Sequence, residues 1–177
     1  LETGKPERRA DYLKTLDRET ERLIQLIEDM LTISRMDAGT VAFEPQLVDM
    51  NPLAEALMED RRKLMEERGL RVDFRPAENL PLVRCDSAML TQAIANLLTN
   101  AMLYTQAGGE VHMATELSVE DGVQWVKLSV ADTGLGVREE ERGQLFERFF
   151  RGSASRSAGT PGTGLGLSIA RDVLERH

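Results

Sequence analysis

Two amide side chains, one carboxylate and two stretches of glycine-rich backbone are the groups in this chain best suited to chemistry on a phosphate ester. Asn96 and Asn100 stand four residues apart in an otherwise apolar run (Leu90, Ile94, Leu97, Leu98, Met102), so on a helix they share one face. An amide oxygen is a hard ligand suited to Mg²⁺, an ion that takes few protein groups and keeps phosphate and water as its others. The plain alternative is that both amides hydrogen-bond between elements. Glycines alternate in Asp132-Thr133-Gly134-Leu135-Gly136-Val137 and again in Gly162-Thr163-Gly164-Leu165-Gly166-Leu167. Backbone of this kind can pass close to a ligand and expose its N–H groups. The second stretch opens a helical pattern, where the dipole also favours phosphate. Asp132 heads the first loop, and its carboxylate can accept from an amino group such as that of adenine. Neither loop is a Walker loop, since no Gly-Lys-Ser/Thr occurs. The second lacks a glycine and the leading strand of a dinucleotide fingerprint. Either loop alone reads as a plain turn; two loops, an aspartate and an amide-bearing helix together argue against that.

The elements that must position these groups follow from the pattern. No Gly or Pro falls between Arg8 and Met36, and Leu13, Leu16, Thr20, Leu23, Ile27, Met30 and Ser34 recur at spacings of three and four. This reads as the seam of a bundle helix, with a core helix lying on the following domain as the plain alternative; a polar turn over Leu1–Glu7 opens it, with Pro6 as a first helical residue, and Gly39 closes it. Ile24, Leu26, Leu31 and Ile33 widen the seam, and Arg18, Glu19, Glu21, Arg22, Glu28 and Asp29 form a polar face. Residues 40–50 read as a short strand and linker, with a boundary near residue 45. Asn51-Pro52 predicts the start of a helix that runs to about Arg68 and stops at Gly69. Leu70–Phe74 alternates as a strand, and Leu82-Val83 marks a shorter one. The amide-bearing helix runs from a cap at Asp86 or Ser87 to Tyr104. Glu110–Val119 and Val123–Ala131 form a hairpin around Asp121-Gly122. A short charged helix follows at Arg138–Gln144, a mobile loop at Gly152–Gly162, and a helix from Leu165 to Leu174. No internal repeat is present.

A net charge of −8 argues against a general nucleic-acid surface, so phosphate must be met by local amides, a metal ion and a few cations. The single cysteine, Cys85, excludes an intrachain disulfide and reads as a small half-buried residue. No apolar run is long enough to span a membrane, and a reducing, cytoplasmic setting fits. The chain's start at Leu1 and its end at His177 read as cut ends.

Four segments in order resemble the boxes of sensor histidine kinases. Asn96-Leu97-Leu98-Thr99-Asn100-Ala101-Met102-Leu103-Tyr104-Thr105 resembles the N box, and Asp132–Gly136 the first glycine box. Leu145-Phe146-Glu147-Arg148-Phe149-Phe150-Arg151 resembles the F box, and Gly162–Leu167 the second glycine box. Arg22 to Leu31 and on through Asp37-Ala38-Gly39 is similar to the second helix of the family's dimerisation domain. The resemblance implies an α+β fold: a two-layer α/β sandwich whose mixed sheet is covered on one face by helices, preceded by one long bundle helix. It implies residues 1–44 as that second helix plus linker, its first helix absent, and 45–177 as the ATP-binding catalytic domain. It further implies ATP and Mg²⁺, transfer of the γ-phosphate to a histidine on the first bundle helix, and relay to an aspartate of a response regulator. Homodimerisation through the N-terminal helix and membrane attachment only through other segments are also implied. By matching position, Asn100 would hold Mg²⁺, Asn96 would lie by the phosphates, Asp132 would read adenine and Tyr104 would line the pocket. Gly134 and Gly136 would admit the nucleotide. Gly162, Thr163, Gly164, Leu165 and Gly166 would close around phosphate, with Arg151 as a cation. Asn96, Asn100 and Arg151 would be the catalytic set.

Two departures from the family pattern stand out. Leu103 occupies the place where the family usually has a phosphate-contacting Lys; Arg156 is a candidate to take over that role. Neither His112, on an alternating strand, nor His177 is a credible phosphoacceptor. A nucleotide-binding pseudokinase or dimerisation module remains the alternative. Hydrolytic relatives with a Glu at the place of Asn96 are a further class, disfavoured because an amide is no base near neutral pH.

Overall fold

The computed structural model describes residues 6–177, with side chains from Tyr12 onward except at positions 14 and 18. The part of the expected polar turn over residues 1–5 lies outside them. Helix α1 (Pro6–Asp37) begins at the proline, whose missing N–H costs nothing in a first turn. It ends where Gly39 takes φ +64° and donates to the Met36 carbonyl at 3.0 Å. Leu13, Leu16, Leu23, Ile27 and Met30 of the seam are all exposed. Among the described side chains of the helix, the buried ones, Asp29, Ile33 and Met36, lie toward its end.

Helix α2 (Met50–Glu67) is capped by Asp49, not by Asn51 as the sequence predicts. The Asp49 carboxylate accepts from the Asn51 N–H at 3.0 Å. Asn51 is instead spent on tertiary structure: its Nδ2 donates to the Ala77 carbonyl (2.8 Å) and its Oδ1 accepts from the Thr115 hydroxyl (2.6 Å). That hydroxyl is buried and must find partners, and it also accepts from the Ala77 N–H.

Strand β1 (Gln46–Val48) pairs antiparallel with β3 (Val83–Cys85). A separate mixed sheet has the order β2-β4-β5, with β2 (Arg71–Arg75) parallel to β4 (Glu110–Glu120) and β4 antiparallel to β5 (Val123–Asp132). Asp121 and Gly122 both take positive φ at the hairpin turn, matching the right-handed twist of the strands. Alternation sends Val72, Phe74, Val111, Met113, Leu128 and Val130 to one face. Helices α2 and α3 (Ser87–Tyr104) cover that face, and α5 (Gly166–Glu175) packs against α3; together they bury Met58, Met65, Leu98 and Ile169 completely or nearly so. The opposite face carries ion pairs, Arg71–Glu110 and Lys127–Glu116 among them, and stays wet. The result is the two-layer α/β sandwich with a bundle helix in front.

Cys85 is fully buried rather than half-buried, and burial, followed by the neighbouring Asp86 charge, pushes its thiol up. Asp86 caps α3 through the Ala88 and Met89 N–H groups, and its second oxygen accepts from Glu44 N–H at 3.0 Å. These donors, Glu44 foremost, hold its carboxyl below the usual range and tie the linker to the amide-bearing helix. The loop expected after the F box contains one short helix, α4 (Ser153–Ser157).

Candidate functional site

Helix α3 has two faces. Met89, Leu90, Ala93, Ile94, Leu98, Ala101 and Met102 go to the core; Asn96, Asn100, Leu103 and Tyr104 look into a cleft of about 760 Å³. The floor and rim of this cleft come from Val130, Asp132, Leu135 and Gly136 on one side and Gly162, Thr163, Gly164 and Gly166 on the other. Arg151, Ser155 and Pro161 close one end. Four of the five groups that the sequence singles out for chemistry, namely Asn96, Asn100, Asp132 and the second loop, therefore converge directly. The first loop converges through Asp132 and Gly136, while Gly134 works behind the wall.

Gly134 is required by a close approach. A Cβ there would lie 2.5 Å from the Tyr104 carbonyl oxygen and 2.6 Å from Asp132 Oδ1. The Gly134 N–H donates to Asp132 Oδ1 at 2.8 Å, and the Leu135 N–H donates to the Tyr104 carbonyl at 3.1 Å. Asp132 is thus held by one oxygen while its carboxylate remains exposed at the strand end.

The two asparagines divide the alternatives between them. Asn96 Nδ2 donates to the Gly166 carbonyl at 3.0 Å, so it lines the cleft while bonding two elements. Asn100 has no hydrogen-bond partner among the described residues and presents its amide to the cleft. No group of His, Cys, Asp and Glu among the described residues converges as a metal cluster. The Asn100 amide oxygen at the cleft is a hard donor that fits an ion whose other ligands are phosphate and water.

The second loop is held from three directions. Gly164 takes φ +75°, and a Cβ there would lie 2.8 Å from the backbone of Phe149 and Phe150. Its carbonyl accepts from the Phe149 N–H at 2.9 Å, which holds Phe149 itself at φ +65°, a conformation costing a bulky residue about 1–3 kcal/mol. Thr163 Oγ1 donates to Asp29 Oδ2 of α1 at 2.8 Å. Leu165 does not line the cleft; its side chain is wholly buried in the core and anchors the start of α5.

Arg151 reaches the loop's own backbone: its Nη2 donates to the Thr160 carbonyl and to Ser155 Oγ, the latter at 3.4 Å. Its Nε is buried with no partner. Arg156 donates from Nη1 to the Arg151 carbonyl. Glu141 also lines the cleft; the Ser153 N–H, donating to it at 2.8 Å, holds its carboxyl below the usual range.

Sequence reasoning missed the part that α1 plays. Glu21, Arg22, Gln25 and Asp29 line the same cleft. Arg148 forms a bidentate pair with Asp37 (2.7 Å to each oxygen) and reaches Asp172 at 3.2 Å. Arg176 donates to the Met36 carbonyl. The Arg148 guanidinium holds the Asp37 carboxyl below the usual range, and Arg148 is pushed up in turn. No local signal could reveal the partners of Asp37 and Met36, which lie more than a hundred residues away in the chain.

Neither histidine lines the cleft. His112 sits on the solvent face of β4 with Nε2 3.0 Å from Glu110. His177 accepts from the Asp86 N–H at Nε2 (2.9 Å), has Nδ1 2.8 Å from the Val173 carbonyl, and meets Phe43 edge-on at 5.0 Å. No helix among the described residues is long and apolar enough to cross a membrane.

Residues 85–177 match the family model described as histidine kinase-, DNA gyrase B-, and HSP90-like ATPase, and residues 1–39 match the His Kinase A phospho-acceptor domain. The sensor histidine kinase RppB of Synechocystis sp. is 33% identical over 165 residues, covering 93% of this chain and 36% of its own length. The signal transduction histidine-protein kinase BaeS of Escherichia coli is 32% identical over 167 residues, 94% of this chain and 35% of its own. The chain thus spans about a third of the length of these relatives. The crystal structure of full-length ShkA in complex with AMPPNP superposes with a TM-score of 0.75 at 30% identity, covering 96% of this chain and 34% of that one.

Proposed function

The chain belongs to the sensor histidine kinase family, and from that premise we propose that it is a catalytic core that binds ATP and delivers the γ-phosphate to a histidine on another helix. The phosphoryl group then passes to an aspartate of a response-regulator domain. The observation that carries this reading is the convergence of a partner-free Asn100 amide, the exposed Asp132 carboxylate and the second glycine loop on one cleft. Asp132 would accept from the adenine amino group, with Gly136 letting the ring approach, Gly134 fixing Asp132 from behind and Tyr104 on the wall. Asn100 would hold Mg²⁺, which when bound would neutralise phosphate charge. Arg151 would stabilise the charge that develops on the transferred group, in a reaction that is mostly positioning and electrostatics. The acceptor imidazole nitrogen forms the new N–P bond, the bridging P–O bond breaks, and ADP leaves with the electron pair. Asn96 cannot activate water, since an amide is no base near neutral pH; this favours transfer over hydrolysis.

The division near residue 45 is supported by separate family matches on either side. The exposed seam of α1 supports a homodimer through that helix, completed by the first bundle helix. A cytoplasmic setting belongs to the same reading.

Titration calorimetry tests it. Asp132→Asn should lose about 1.5–3 kcal/mol of ATP affinity, the worth of a charged hydrogen bond; unchanged affinity removes Asp132 from the site. Asn100→Ala should weaken ATP binding in Mg²⁺ and leave binding in EDTA as it was. The chain should also phosphorylate, in trans, a first-helix segment bearing a histidine followed by Glu or Asp, and should not label itself.

A further inference from the structure

A second cavity of about 400 Å³ adjoins the cleft, and Arg22, Arg151 and Pro161 line both. Its other walls are Glu19, Arg156, Gly159 and Thr160. Three guanidinium groups from two distant segments therefore face one small volume with a single carboxylate among them. We propose that Arg22 of the bundle helix is a phosphate-contacting residue, completing with Arg151 and Arg156 an anion site for the polyphosphate end of the nucleotide. The proposal rests on the nucleotide reading above and adds to it a residue from outside the ATP-binding domain.

The geometry supports each member. Among the described residues Arg22 is held only by Glu19, at 3.5 Å, with the two side chains 45% and 52% exposed. So exposed a pair is weak, and the guanidinium is free to swing toward a stronger anion. Arg151 is anchored at Nη2, while its buried Nε has no acceptor. A buried cationic N–H left unpaired is costly, and an anionic oxygen entering this corner relieves that cost. Arg156 uses one nitrogen on the Arg151 carbonyl and keeps its other donors free among the described residues. Two of the acidic groups nearby are already committed: Asp29 accepts from Gln25 and Thr163, and Glu141 accepts from the Ser153 N–H, while Glu21 stays exposed on α1. Leu103 supplies no cation to the cleft wall. Arg22 and Asp29 are seven residues apart, hence on one face of α1 about 10 Å apart along its axis. The Asp29–Thr163 bond that docks the helix therefore also presents Arg22 to the phosphate end. Polyphosphate affinity and the docking of α1 then support each other, since such coupling is reciprocal.

The test compares ATP, ADP and AMP binding by calorimetry, with Mg²⁺, for the whole chain and for Arg22→Ala, Arg22→Lys and Arg35→Ala. Arg35 is an exposed cation of the same helix outside both cavities. Arg22→Ala should weaken ATP about tenfold and AMP less than about twofold, with Arg22→Lys between. Arg35→Ala should leave the ATP-to-AMP ratio unchanged. An unaltered ratio in Arg22→Ala, or an equal shift in Arg35→Ala, overturns the proposal while leaving the nucleotide reading intact. A parent chain that binds none of the three nucleotides overturns both. Circular dichroism of each variant guards against a lost helix, and Arg22→Lys keeps the charge if Arg22→Ala disturbs it.

Discussion

The two glycine loops have nearly the same composition and are held in place by different means. The first is closed without any bond to α1 among the described residues: the Asp132 carboxylate accepts from Gly134 two residues on, and Leu135 bonds the end of α3. The second takes part of its support from α1: Asn96 holds it at Gly166, the F-box backbone at Gly164, and Asp29 of the bundle helix at Thr163. A locally closed loop keeps its shape wherever the bundle helix goes. A loop held from outside changes when its holders move. On the proposed reading, the end of the cleft that takes adenine is thus built rigid, and the end that takes phosphate is built to respond to α1.

The strongest way to separate the loops is at glycines that both take positive φ. Gly164→Ala adds a left-handed strain and a backbone clash at 2.8 Å, and should cost about 2–4 kcal/mol of stability. Gly136→Ala, at φ +66° with open space around it, should cost only about 1 kcal/mol. Chemical denaturation of both variants checks the order, and equal losses would erase the difference in anchoring.

Thr163→Val removes the bond to Asp29 and should cost about 1 kcal/mol. Hydrogen exchange is the sharper readout: amides of Gly162–Gly166 should lose protection while those of Asp132–Gly136 keep theirs. Equal loss in both loops would mean that the first is not independently closed.

The third prediction uses pH. Asp37 is depressed by Arg148, so its contribution to docking α1 is present above the ordinary carboxylate range and lost as pH falls through the depressed value. Exchange protection of α1 near Ile33 and Met36 should therefore fall with acid in the parent chain. In Asp37→Asn it should start lower and lose that part of its pH dependence. The pair is exposed, so added salt should mimic part of the acid effect.

The smallest effect concerns the phosphate end itself. Leu103→Lys adds a point charge on the cleft wall and should raise ATP affinity more than AMP affinity, with the gain shrinking in salt. Equal small changes for both nucleotides would show that position 103 does not face the phosphates.

Much of the site was legible because its signals are local. Two asparagines at a helical spacing, glycines where a side chain cannot fit, and an aspartate at a strand end declare themselves within a few residues. The helices and the hairpin were legible for the same reason, since caps, turn residues and periodicity are short-range. The cap of α2 was misread because Asp49 and Asn51 are both good caps, and only the buried Thr115 hydroxyl decides which one is needed elsewhere.

By itself the sequence determined the order of elements, the apolar faces that must pack, and the two loops that must carry glycine. Tertiary structure alone decided that Asp29 and Asp37 of the bundle helix bond the second loop and the F box, and that Arg22 lines one cavity with Arg151. The physical reason is that charge and hydroxyl groups carry no periodicity that names a partner. A carboxylate on a helix surface looks the same in sequence whether it faces water or a threonine 134 residues away.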